Sequence, residues 1–269
     1  MAKLSPLAFK RFYDKIQFFP EYWKSLQPLS DIDPEYEKDW IERVQLLDKL
    51  SAQNQVAIFL WNAFHNRFIY MSDKLQVLGG YNPDAFITPG GVNLSFSLIH
   101  PDHLNAAMQL YEKGMNFGPE NAFSPIDKIV LNLNFLYKNA FGQYFQVLQQ
   151  CIVVEADENL QPRLVLSFAH NVSHIKKDRS VGLVISSPQG TDLYQYDLNQ
   201  HKISERKRFT SQEMNVLTLL SQSKSTNQIA ARLNISPHTV DTHRRNLINK
   251  TDCLDTTGVV TFAKLINVI

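Results

Sequence analysis

Residues 209–251 read FTSQEMNVLTLLSQSKSTNQIAARLNISPHTVDTHRRNLINKT, and this stretch decides how the C-terminal part of the chain folds. Thr210 with Glu213 three residues on is a capping-box pattern that opens the amphipathic run Met214, Val216, Leu217, Leu219 and Leu220, so a helix starts here. After a polar break over 221–226, Ile229, Ala230 and Leu233 give one apolar face to a second short helix over 227–233, which Asn234 breaks. Ser236 caps a third helix, with Pro237 at its first position, where a missing N–H costs nothing, and the run continues to about Lys250. Two helices therefore flank a tight turn inside an expected four-helix unit over 208–269.

On the third helix Val240, Leu247 and Ile248 point inward, whereas Asp241, Thr242, Arg245 and Asn249 fall on the outer side. The outer face carries the chemistry of base reading. Arg grips guanine O6 and N7 or a phosphate, Asn suits adenine, Thr touches a thymine methyl, and Asp accepts from cytosine N4. Asp241 and Arg245 also have the i, i+4 spacing of a helix-surface ion pair, an alternative use for both.

This stretch, with Thr210 and Glu213, IAARL in the second helix and S-P-H-T-V-D-T-H-R-R-N over 236–246, resembles the LuxR-type (GerE) DNA-binding domain of bacterial transcription regulators. The resemblance implies a third helix in the major groove that reads bases through Asp241, Thr242 and Arg245, while His243, Arg244 and Lys250 lie nearer the phosphates or support the helix. Ser236, His238, Thr239 and Asn249 complete the candidate DNA-binding set. Many relatives place Lys where Asp241 stands, and an acid there forgoes a phosphate contact.

Charge is distributed accordingly. Residues 202–250 hold nine Lys or Arg against three Asp or Glu, a net +6, whereas the whole chain is +1 and the remainder is therefore −5. Such asymmetry suits a nucleic-acid-binding end joined to something else. The run ERKRF at 205–209 taken alone reads as a solvated linker.

At 269 residues and 44% hydrophobic, the chain has room for about two compact domains. Cys151 and Cys253 lie far apart with no CxxC spacing, so neither a disulfide framework nor a cysteine zinc site is indicated. No apolar stretch approaches a membrane span of roughly 20 residues, and MAKLSPLAFKRF lacks a signal-peptide core, so a cytoplasmic protein is expected.

Residues 1–54 form a helical N-terminal arm with one pattern over 7–26, broken at Pro20, and a clearer one over 34–49. There Trp40, Val44, Leu47 and Leu50 recur opposite Glu37, Lys38, Glu42, Arg43 and Asp48. This stripe either covers the following domain or makes a homodimer contact.

Between residues 55 and 177 the pattern turns strand-rich. VAIFLWNAF and RFIYMS flank a polar turn at His65 and Asn66, and a longer helix begins near Asp102, whose carboxylate is placed to cap it. Three alternating strands follow, with turns at 139–142 and 157–161. The order β-β-α-β-β-β implies an antiparallel sheet with helices on one face.

That order, with GGY near Tyr81, IHPDHL over 99–104 and long hairpin strands around FGQY, resembles a PAS domain over about 120 residues. PAS domains sense ligands or pair with one another, and the implied pocket lies between sheet and helices. Its candidate lining is Phe96, Leu98, Met108, Tyr111, Leu133, Phe135, Val147 and Phe168, side chains that would equally fill an ordinary core. No cofactor is predicted. His100 and His103 lack partners at metal-ligand spacing and read better as capping and hydrogen-bonding groups. The Asn-Cys-Arg-Phe-type motif of the flavin photosensor subgroup is missing, and Cys151 falls on a predicted strand.

Residues 178–207 form a connecting segment in which VGLVIS and DLYQYDL, joined by SPQGT, read as a hairpin that either extends the sensor or holds the two domains in register. No P-loop, GxGxxG, HExxH, nucleophile-elbow or kinase signature occurs, so no enzyme is expected.

The sequence thus predicts an α+β chain with a PAS-like antiparallel sheet followed by an all-α LuxR-type helix-turn-helix domain. Its expected role is a transcription regulator that binds promoter DNA as a homodimer and senses a small ligand or protein partner. The alternative is a regulator whose PAS-like domain docks a partner and binds no small ligand.

Overall fold

The structure, a computed structural model, describes residues 31–51, 55–120, 126–177 and 179–269. The helical pattern expected over 7–26 lies outside them.

Helix α1 (Pro34–Leu50) starts on Asp33, whose carboxylate accepts from Glu35 N at 2.8 Å, with Pro34 at the first helical position. Strands β1 (Ala57–Asn62) and β2 (Arg67–Met71) make the expected hairpin, with Asn66 at φ 47° in its turn. Four helices follow: α2 (Leu75–Gly79), α3 (Asp84–Ile87), α4 (Gly91–Ser97) and the long α5 (Pro101–Glu120). Strands β3 (Val130–Lys138), β4 (Tyr144–Ala156) and β5 (Pro162–Asn171) then return. Their turns close as the sequence predicts. Asn139 Oδ1 accepts from Gln143 N at 2.8 Å, and Asp157 Oδ1 accepts from Asn159 N and Gln161 N at 2.9 Å each.

The segment read as a connector carries β6 (Gly182–Ser187), β7 (Gly190–Asp197) and β8 (Lys202–Arg206), all in the same antiparallel sheet. The order is β2-β1-β5-β4-β3-β6-β7-β8. The hairpin therefore extends the sheet. Strand β8 escaped the sequence reading because Lys202, Glu205 and Arg206 mask any alternation, and such charges suit an edge strand that must not recruit another.

The sheet packs on both faces, not on one as expected. Helices α2–α5 cover the first, where Leu110, Tyr111 and Met115 of α5 meet Leu131, Leu133 and Phe135 of β3. Gly114 brings the helix close enough that a Cβ there would stand 3.0 Å from the Leu131 side chain. On the second face α1 lays Val44, Trp40 and Ile41 over Ile58, Leu60, Ile69, Leu164 and Leu166. Leu50, expected in that stripe, is 77% exposed. The rest of the second face, through Leu148, Val184 and Leu193, shares a core with the C-terminal helices α6 (Ser211–Ser221), α7 (Thr226–Leu233), α8 (Pro237–Thr251) and α9 (Thr256–Leu265).

Candidate nucleic-acid interface and sensor cavity

Each helix of the C-terminal unit is started by a side chain the backbone needs. Thr210 Oγ1 accepts from Glu213 N at 3.2 Å while Glu213 Oε2 accepts from Thr210 N at 2.7 Å, the reciprocal box foreseen for α6. A second box opens α7 through Ser225 and Gln228, a signal present in the sequence but passed over as a polar break. Asn234 ends α7 in the left-handed region at φ 55°, and Ser236 Oγ accepts from Thr239 N at 3.0 Å to begin α8.

Val240 and Leu247 anchor α8 in the core, and its outer surface exposes Ser236, His238, Asp241, Arg245, Asn246 and Asn249. Thr239 and Thr242 are half-buried beside them. Thr242 Oγ1 donates to His238 O at 3.0 Å and accepts from Arg245 Nη2 at 3.3 Å, so the Arg245 guanidinium lies along the exposed face. The spaced Asp241–Arg245 pair does not form. Asp241 instead faces Arg244 at 3.7 Å, leaving Arg245 on the threonine.

Of His243, Arg244 and Lys250, which the resemblance put nearer the phosphates or in support of the helix, the last two make supporting contacts. Arg244 donates to Thr226 Oγ1 at 2.9 Å and to Thr256 Oγ1 at 3.2 Å, tying α8 to the starts of α7 and α9. Lys250 bonds Glu213 Oε2 at 2.6 Å and Arg208 O at 2.9 Å. Burial alone would raise the Glu213 carboxyl, but hydrogen bonds from Lys250 and Thr210 outweigh it and hold the group below its usual range. His243 turns its Nδ1 into the interior.

In the sheet domain a cavity of about 50 Å3 lies between the α-helical layer and the strands. Of the residues expected to line it, Phe96, Tyr111 and Phe135 do so. Leu133 and Val147 are ordinary core on the same face, Leu98 is partly buried against that core, and Met108 faces an open groove between α5 and β7–β8. Phe168 is on the opposite face with Leu164 and Leu166, beneath α1, because β5 directs Val165, Ser167 and Ala169 toward the cavity side. Residues the sequence reading missed include Phe59, Trp61, Tyr137, Gln149 and Cys151. The signal was there: Gln149 and Cys151 share the inward period of Val147, and a polar side chain on an inward period marks something other than packing.

The polar groups of the cavity satisfy one another. The Tyr111 hydroxyl donates to Gln149 Oε1, Ser95 Oγ meets Tyr137 OH at 3.3 Å, and Ser167 Oγ reaches Cys151 Sγ at 3.4 Å. Burial pushes the Cys151 thiol up to about 11 and raises both tyrosines. The lining is therefore uncharged at neutral pH.

The histidines act through hydrogen bonds. His100 Nδ1 accepts from Asp102 N at 3.2 Å, capping α5 in place of the Asp102 carboxylate, which points outward. His103 Nδ1 accepts from Leu136 N at 3.1 Å, and burial lowers its pKa to about 4.

Comparison with known proteins bears on the C-terminal unit first. Residues 207–263 match the family model described as bacterial regulatory proteins, luxR family. No curated protein matches the chain. Among solved structures, the N-terminal domain of a Marinobacter aquaeolei diguanylate cyclase with PAS/PAC sensor shares 15% identity over 44% of this chain and 96% of its own, with a TM-score of 0.36. A PAS domain from Colwellia psychrerythraea shares 14% over 49% of this chain and 98% of its own, at 0.35. The Vibrio cholera VqmA–ligand–DNA complex shares 14% over 82% of this chain and 85% of its own, at 0.31.

Proposed function

We propose that this chain, whose residues 207–263 form a LuxR-type helix-turn-helix domain, is a transcription regulator in which the PAS-like sheet domain receives a signal and α8 reads promoter DNA. The observation that carries this reading is the exposed polar face of α8, where Asp241, Arg245 and Asn249 stand exposed beside half-buried Thr242 on a helix fixed by Val240 and Leu247. Arg245 is assigned to a base edge or its phosphate, with Ser236, His238, Thr239 and Asn249 around it. Arg244 and Lys250 are assigned to holding the helix, since Arg244 bonds Thr226 and Thr256 and Lys250 bonds Glu213 and Arg208 O. A homodimer on two half-sites about one helical turn apart matches the way helix-turn-helix domains read DNA.

The signal assigned to the sheet domain is a small, uncharged molecule. A charged ligand would meet no counter-charge in a lining without Asp, Glu, Lys, Arg or His, and an unpaired buried charge is expensive. Among the described residues no helix is long and apolar enough to cross a membrane. Selection of bound duplexes from a random DNA pool tests the reading, together with native mass spectrometry of the purified chain. A recovered consensus and a stoichiometric neutral adduct support regulator and sensor. An empty cavity with a stable heteromeric complex favours partner docking instead.

A further inference from the structure

The last turn of a helix leaves carbonyl groups without intrahelical partners, at the negative end of its dipole. Helices α7 and α9 are closed by the N–H of their own cap residues, Asn234 to Ala230 O and Ile266 to Phe262 O. At the end of α8, Thr251 Oγ1 donates to Leu247 O at 2.9 Å, and the carbonyls beyond it are met from outside the helix. Arg206 Nη1, at the end of β8, donates to Asn249 O, Lys176 Nζ donates to Thr251 O, and Lys177 N donates to Asp252 O at 3.1 Å. Gln195 of β7 donates to the Asp252 carboxylate, which Arg206 Nη2 also approaches at 3.8 Å. Leu254 N returns a bond to Ile175 O at 2.9 Å. Lys176 is buried, with its Nζ 3.7 Å from the centre of the Phe262 ring on α9. Every one of these sheet-side groups belongs to the strands or the loop after β5, outside the helix-turn-helix unit, while the DNA-reading face of α8 remains exposed.

We propose that the sheet domain supplies the C-terminal cap of α8, with Lys176 and Arg206 as positioning residues that hold the reading helix in its DNA-binding orientation. The inference rests on α8 being the DNA reader. It gives the sensor a direct route to the output: a shift of β7, β8 or the loop after β5 moves cationic and amide donors bonded to the end of that helix. Neither lysine nor arginine needs to touch DNA for this to work.

The test uses the full chain and a Lys176→Met, Arg206→Gln double variant. Its measurements are affinity for the selected duplex, thermal unfolding, and amide exchange at residues 248–254. Lys176→Met leaves Thr251 O without that donor, so the melting temperature should fall by a few degrees, and affinity is measured at a temperature where both proteins are fully folded. Affinity should fall about tenfold, the scale of a typical coupling between sites, and exchange at the end of α8 should quicken. Arg206→Lys, which keeps a cationic donor on the exposed edge, should retain most of the affinity. Unchanged affinity and exchange in a folded double variant would overturn the proposal, as would an affinity loss that merely tracks a lowered melting temperature. If the wild-type chain selects no DNA, the regulator reading fails, and exchange at 248–254 alone decides the cap: faster in the variant supports it, unchanged refutes it.

Discussion

Gln149 and Gln150, neighbours on β4, serve opposite faces of the sheet: Gln149 accepts from the Tyr111 hydroxyl in the cavity, and Gln150 donates to Leu265 O at 2.8 Å at the end of α9. One peptide unit therefore separates the cavity from the C-terminal helical unit. The same alternation sends Cys151 to the cavity and Leu148 to the core shared with the helices.

Gln150 is accordingly expected to matter for joining the units. Gln150→Leu leaves Leu265 O and Asn132 Oδ1 without their donor, each of which it now meets at 2.8 Å. Urea denaturation should show a loss of about 1–3 kcal/mol, the cost of unsatisfied buried polar groups. No loss would mean that water or a rearranged amide replaces the bond.

Lys250 distinguishes a structural cation from a phosphate contact. Lys250→Met strands the buried Glu213 carboxylate and should destabilise the helical unit by about 3 kcal/mol. In variant that still folds, the slope of log affinity against log salt should stay at its wild-type value, whereas loss of a true phosphate contact reduces that slope by roughly one.

The same pair sets an acid limit. Because the folded Glu213 carboxyl titrates below its unfolded value, its stabilisation is present above the ordinary carboxylate range and drains away as pH falls through and below it. Glu213→Gln should lose stability at neutral pH and show a shallower decline in acid, measured as unfolding free energy against pH.

His103 acts in a different window with the same sign. Its folded pKa of about 4 lies below the unfolded value of 6.5, so the unfolded chain binds the extra proton between them. The contribution of His103 to stability is full above about 6.5 and declines as pH falls toward about 4. In His103→Gln that part of the pH dependence should vanish, and an unaltered profile would remove His103 as its source.

Legibility in the sequence followed the range over which each determinant acts. Caps and turns are local: Thr210 with Glu213, Ser236 with Pro237, and Asp157 declare themselves within four residues, so α6, α8 and the β4–β5 turn were read correctly. Face assignments needed register. Phe168 looked like a cavity residue because it is large and apolar, yet its period on β5 sends it under α1. Helix support by Arg244 and Lys250 was one of two roles the resemblance implied, but their partners were not legible, since Thr226, Thr256 and Glu213 reach them only through tertiary folding. For the same reason the strand β8, charged along its length, looked like linker until β7 was beside it.

The central claim is that Arg245 reads DNA while Arg244 holds the helix that presents it. The most direct measurement is the sequence preference and affinity of Arg245→Ala against the wild-type chain, with duplexes selected from a random pool at fixed salt. The account predicts that Arg245→Ala stays folded, loses about 1–3 kcal/mol of binding and relaxes its preference at a defined base pair. Full affinity with an unchanged preference would contradict it.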